Sequence, residues 1–149
     1  MNTIKIYTDG SCLGNPGEGG WGAIIQHNDE EKVLRGGEEY TTNNRMEMTG
    51  IIAALTWVKK NYVTQDSGKK ITINIFSDSR LIIDTLTKNW KKKMNTDLWA
   101  QMDDAIHSLV PEKATITWNW VKGHSTNVLN QRVDKIAVGE STKIKNRTR

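Results

Sequence analysis

The spacing of apolar residues changes near position 42, and that change restricts the chain to folds that combine a sheet with helices. Before it, side chains alternate. Over residues 3–9, Ile4, Ile6 and Thr8 fall on one face and Lys5, Tyr7 and Asp9 on the other, the two-residue repeat of a strand. Residues 20–27 and 32–40 read as two more strands, joined by a hairpin turn around Asn28-Asp29. Beyond it, Met48, Ile51, Ile52, Leu55 and Val58 fall at helical spacing, with Thr42 to Asn44 as N-cap candidates. The β-rich "ITINIF" (71–76) ends at Ser77-Asp78-Ser79, where a short helix carrying Leu81, Ile82 and Leu86 starts. Leu98, Met102, Ala105 and Leu109 predict a helix behind Asn95-Thr96, "TITWNWV" (115–121) a fifth strand, and Leu129, Val133, Ile136 and Ala137 a last helix. The expected class is α/β. Three antiparallel leading strands join later parallel ones in one mixed five-stranded sheet, with helices as connections.

At 149 residues, 36% of them hydrophobic and 26% charged, the chain suits one domain with a real core. Its single cysteine, Cys12, has no internal disulfide partner, which suits a reducing compartment. "MNTIKIYTDG" lacks an apolar signal region, and no stretch approaches the roughly 18 apolar residues of a membrane span. A cytoplasmic protein without membrane attachment is expected. Net charge is +4, which permits a polyanionic partner without requiring one. Lys88, Lys91, Lys92 and Lys93 surround Trp90, and Lys143, Lys145, Arg147 and Arg149 crowd the end. Read alone, each run is more often a solvated face than a binding surface.

The glycine-rich "TDGSCLGNPGEGGWG" (8–22) is no phosphate-cradling P-loop, because it contains no lysine and leads into a strand rather than a helix. Asp9 then needs a reason, since acids are depleted in strands. Three other acids have ordinary explanations. Glu47, in a first helical turn, would favour the helix dipole; Asp78 could cap the short helix; Asp134 could pair with Arg132 or Lys135. If the four converge, each pair about 5 Å apart repels by roughly 3 kcal/mol at an effective dielectric near 20. Cations or protons must offset that. Oxygen donors without Cys or His pairs favour Mg²⁺ or Mn²⁺ over Zn²⁺, and two such ions about 3.5–4 Å apart clamp a phosphoryl displacement.

"TDGSCLGNPGEGGWGAII", "TTNNRME", "SDS", "DLW" and "WVKGH" followed by "NQRVD" resemble, in order and over about residues 3 to 138, a type 1 ribonuclease H. The resemblance implies the ribonuclease H-like fold with helices on both faces of its sheet. It also implies an endonuclease that cuts the RNA strand of an RNA–DNA hybrid to 5′-phosphate and 3′-hydroxyl ends. It places two metal ions, Mg²⁺ with Mn²⁺ able to substitute, at Asp9, Glu47, Asp78 and Asp134. His124 becomes an assistant to proton transfer or product departure. Gly10, Ser11, Cys12, Asn15, Asn43 and Asn44 become substrate contacts, where backbone groups and short polar side chains can read the 2′-hydroxyl that separates RNA from DNA. Thr42 and Asn95 match members of a DNA-phosphate pocket in which Tyr40 stands in place of a frequent Arg.

Many relatives carry a basic, Trp-containing helix-loop, or handle, after the helix that follows the third acid. Here "LTKNWKKKMNTDLW" is short, and Lys91, Lys92 and Lys93 are expected to act as its remnant. Arg80 stands where Gln is frequent and is carried as a substrate contact. The expected organisation is a catalytic domain over residues 1–142 and a basic tail over 143–149, in a monomer. Two alternatives are a hybrid-binding module with poor catalysis and a reverse-transcriptase-like ribonuclease H domain. Trp57, Trp99, Trp118 and Trp120 are expected in the core.

Overall fold

A computed structural model of the chain describes residues 3–63, 69–122 and 127–147. Strands β1 (Thr3–Leu13), β2 (Gly17–His27) and β3 (Glu30–Thr41) precede helix α1 (Asn43–Tyr62). Then come β4 (Ile71–Ser77), α2 (Arg80–Thr87), α3 (Thr96–His107), β5 (Ala114–Trp120) and α4 (Val128–Arg147). The sheet order is β3-β2-β1-β4-β5. β1 pairs antiparallel with β2, and β2 with β3, while β1–β4 and β4–β5 are parallel. The mixed five-stranded sheet is the one expected from the change of period.

Alternation along β1 sends its side chains to two cores. Ile4 and Ile6 join Ala23, Ile25, Ile51, Leu55, Val58 and Met102, so α1 and α3 cover one face. On the other, Tyr7, Ile24 and Val133 pack with Leu129 and Ile136 of α4. Tyr7 also stacks on Phe76, its neighbour on β4, with ring centroids 4.6 Å apart. Helices therefore occupy both faces.

The glycine-rich segment is mostly strand. β1 runs past Asp9 to Leu13, and Gly10, Ser11 and Cys12 pair with Trp21, Gly20 and Gly19. Only residues 14–16 form the turn. Glycine is needed at Gly20 because α4 lies almost on the strand: a Cβ there would meet the Ala137 carbonyl oxygen and the Ser141 amide nitrogen at 2.4 Å. Helix α4 continues unbroken across residue 143, and Lys143 and Lys145 ride its last turns. Lys143 pairs with Glu140 at 2.8 Å. Among the described residues, no helix is long and apolar enough to cross a membrane.

Candidate active site

Two parallel strands and two helices bring the four acids to one cleft of about 720 Å³, lined by Asp9, Glu47, Asp78 and Asp134 together with Gly10, Ser11, Cys12, Asn43 and Asn44. Asp9 sits within β1, opposite Gly22. Glu47 is not in the first turn of its helix: Thr42 is the N-cap, its side chain accepting from the Arg45 amide, and no acid lies in the first turn of α1. Glu47 is instead buried, only 4% exposed, so the helix-dipole explanation fails for it. Asp78 follows the end of β4, but Ser79 caps α2 by accepting from the Ile82 amide. The capping explanation therefore fails too. Asp134 lies exposed on α4, and its neighbour Arg132 is engaged elsewhere, in a bidentate pair with Glu31 at 2.7 and 2.9 Å.

Asp9, Glu47 and Asp78 each offer a carboxylate oxygen within 4.8 Å of the others. Among the described residues, local donors are scarce. The Gly10 amide donates at 2.9 Å to both Asp9 Oδ1 and Glu47 Oε1, one N–H shared by two carboxylates. Ser77 donates its hydroxyl to Glu47 Oε2 at 3.2 Å. This convergence requires Gly10, since a Cβ would lie 2.5 Å from the Glu47 amide nitrogen. The first helix thus crosses β1 at backbone contact, and that crossing sets Glu47 beside Asp9.

Burial dominates the electrostatics. It pushes the Asp9 carboxyl up from 3.8 to about 7; Glu47 hydrogen bonding opposes the rise, while Asp78 and Asp134 add to it. The Glu47 carboxyl is likewise held well above its usual range by burial, with Asp9 and then Asp78 reinforcing the effect. Two buried acids beside a third, with one amide between two of them, are poorly paired as anions. Hard cations with oxygen ligands match such a donor set. The residues fit a divalent metal.

The remaining predicted substrate residues divide. Asn15, Thr42, Asn95, Lys91, Lys92 and Lys93 line a second groove of about 360 Å³, where Asn44 borders both. Lys92 is partly committed, 3.5 Å from Asp103 and 5.5 Å over the Trp99 ring. Arg80 lines neither; its guanidinium lies 5.0 Å over Trp120 and 3.7 Å from Asp84. Trp120 is 43% exposed rather than core, and its indole N–H donates to the Asp78 carbonyl at 3.1 Å. His124 lies outside the described residues. Sequence reasoning missed Ser77, Asn130 and Gln131 around the cleft. Asn130 could have been found as a polar residue beside the apolar positions of α4, since it is only 6% exposed.

A cleft lined by four acids beside the parallel central strands β1 and β4 of a β3-β2-β1-β4-β5 sheet defines a ribonuclease H-fold nuclease. A family model described as RNase H matches residues 1–142. A ribonuclease H of Pseudoalteromonas translucida is 43% identical over 148 residues, covering 91% of this chain and 87% of its own. One from Hyphomonas neptunium is 44% identical, with 90% and 89% covered. Among solved structures, the N-terminal RNase H domain of rv2228c from Mycobacterium tuberculosis superposes with a TM-score of 0.80, at 25% identity and with both chains fully covered. LC11-RNase H1, solved in complex with an RNA/DNA hybrid, gives 0.76 at 24% identity, covering 94% of this chain and 97% of its own. The chain belongs to the ribonuclease H family, as a type 1 member, and is an enzyme of that class.

Proposed function

We propose that the chain hydrolyses the RNA strand of RNA–DNA hybrids at Asp9, Glu47, Asp78 and Asp134, with two Mg²⁺ ions held between them and Mn²⁺ able to replace them. The observation that carries this reading is the trio of carboxylate oxygens within 4.8 Å, two of them on buried residues. Such ions supply charge neutralisation at the scissile phosphate and a more acidic attacking water. Asp9 and Glu47 must surrender their protons to hold cations, and Asp134, exposed on α4, completes the set from the solvent side. Product ends are 5′-phosphate and 3′-hydroxyl, and His124 moves a proton or hastens departure.

Substrate choice belongs to the cleft wall. Gly10, Ser11, Cys12, Asn43 and Asn44 offer backbone and short polar groups beside the acids, suited to 2′-hydroxyl contacts in a wide minor groove. The second groove, with Asn15, Thr42, Asn95, Lys91 and Lys93, takes phosphates of the other strand. That a hybrid complex exists for LC11-RNase H1, a protein of this fold, supports the same substrate here. The test is cleavage of three labelled duplexes in Mg²⁺, with end-group analysis of the fragments. Expected is cutting of the RNA in the hybrid alone, leaving 5′-phosphates. Comparable cutting of RNA–RNA and DNA–DNA duplexes, or 2′,3′-cyclic phosphate ends, would contradict it.

A further inference from the structure

Arg45 ties together the two helix starts that border the second groove. Its guanidinium grips Asp97 bidentately, at 2.9 and 2.7 Å, and the same Nη1 donates to Asn95 Oδ1 at 3.2 Å. Its backbone amide donates to Thr42 Oγ1 at 3.3 Å. Both groove residues therefore have an acceptor occupied by one residue. A guanidinium only donates, so the Asn95 atom facing it must be the carbonyl oxygen, and the amide's Nδ2 donors are left for another partner. Thr42, accepting from Arg45, likewise keeps its hydroxyl hydrogen to give.

Asn95 also forgoes its ordinary use. It is the N-cap of α3, yet its side chain makes no capping hydrogen bond, and its backbone is left-handed at φ 56°. Asparagine at an N-cap ordinarily accepts from an amide of the first helical turn. Here the carboxamide is held away from its own helix and toward a groove that also presents Lys91 and Lys93. Donors and cations facing one groove, with acceptors turned away, suit an anion.

We infer that Arg45, anchored by Asp97, is a positioning residue that aims the Asn95 carboxamide at a backbone phosphate of the bound duplex. This rests on the hybrid-cleavage reading above. Arg45 does not line the cleft of the four acids, so its loss should weaken substrate binding rather than chemistry.

A double-mutant cycle read by hybrid-cleavage kinetics tests it. Arg45→Met keeps the apolar stem and removes the fork; it should raise KM about three- to tenfold, with kcat within about twofold. In an Asn95→Ala background the same change should raise KM less than about twofold further, because the group it aims is gone. Arg45→Lys keeps the charge without the planar fork and should stay closer to Arg45→Met than to wild type. Should Arg45→Met fail to fold, Asp97→Asn carries the test, with a smaller KM rise that also vanishes in the Asn95→Ala background. A KM rise undiminished by Asn95→Ala, or a loss confined to kcat or to melting temperature, overturns the inference. Wild type that cannot cut a hybrid defeats the cleavage reading itself; wild type that cuts with a KM indifferent to Arg45 defeats only this one.

Discussion

Replacing Asp9 by Asn should stabilise the metal-free protein while abolishing activity. Burial raises the Asp9 carboxyl from 3.8 to about 7, so the fold favours the neutral form. That preference stabilises the fold fully below pH 4 and is lost as pH rises through 7. The difference, at 1.36 kcal/mol per pK unit, sets an upper limit of about 4 kcal/mol on the penalty of ionising Asp9 at pH 8. Asn carries no such penalty. Its Oδ1 can still accept from the Gly10 amide, as Asp9 does at 2.9 Å, and its Nδ2 can donate to Glu47. Because Glu47 resists ionisation beside Asp9, part of the penalty is shared, and a gain of about 2–4 kcal/mol is expected at pH 8. For a domain of this size that raises Tm by about 5–15 °C. Calorimetric melts in EDTA at pH 4 and pH 8 measure it: the gain should nearly vanish at pH 4. Adding Mg²⁺ should then raise the wild-type Tm more than that of Asp9→Asn. An Asp9→Asn protein less stable than wild type at pH 8 in EDTA, or shifted equally at both pH values, would refute the reasoning.

Gly20→Ala should cost about 2–3 kcal/mol by denaturant melts, since its Cβ meets backbone of α4 at 2.4 Å and no side chain can move aside. Lys91→Ala/Lys93→Ala should flatten log K against log salt for hybrid binding in Ca²⁺ by about 1–2 units. Lys92→Ala should change that slope less, because Lys92 already engages Asp103 and Trp99. His124→Ala should lower kcat by no more than about 10²–10⁴-fold while leaving Mn²⁺ titration nearly unchanged; lost Mn²⁺ binding would make it a ligand instead.

Much of this architecture could be read from periodicity, because strands repeat their apolar residues every two positions and long helices about every 3.6. Thr42 as a cap, the hairpin at Asn28 and the short helix after Ser79 were equally local. What could not be read depends on contacts between distant segments. The glycines at 10 and 20 depress strand propensity, yet they lie in strands because the backbones of α1 and α4 approach there. Glu47 read as a first-turn acid because the helix start was uncertain by a residue or two, and its burial follows from crossing β1. Trp120 read as core by its size, but the edge strand leaves it half in solvent over Asp78. Arg45 gave no hint: its partners lie 50 and 52 residues away, and no local pattern links them.

The most direct test of the four-acid nuclease is cleavage of one hybrid, each strand carrying its own label, by wild type and Asp9→Asn in Mg²⁺ and in EDTA. Wild type in Mg²⁺ should cut the RNA strand and leave the DNA strand whole, and the other three reactions should be silent. Cutting by wild type in EDTA, or by a folded Asp9→Asn protein in Mg²⁺ at a rate near wild type, would contradict the account.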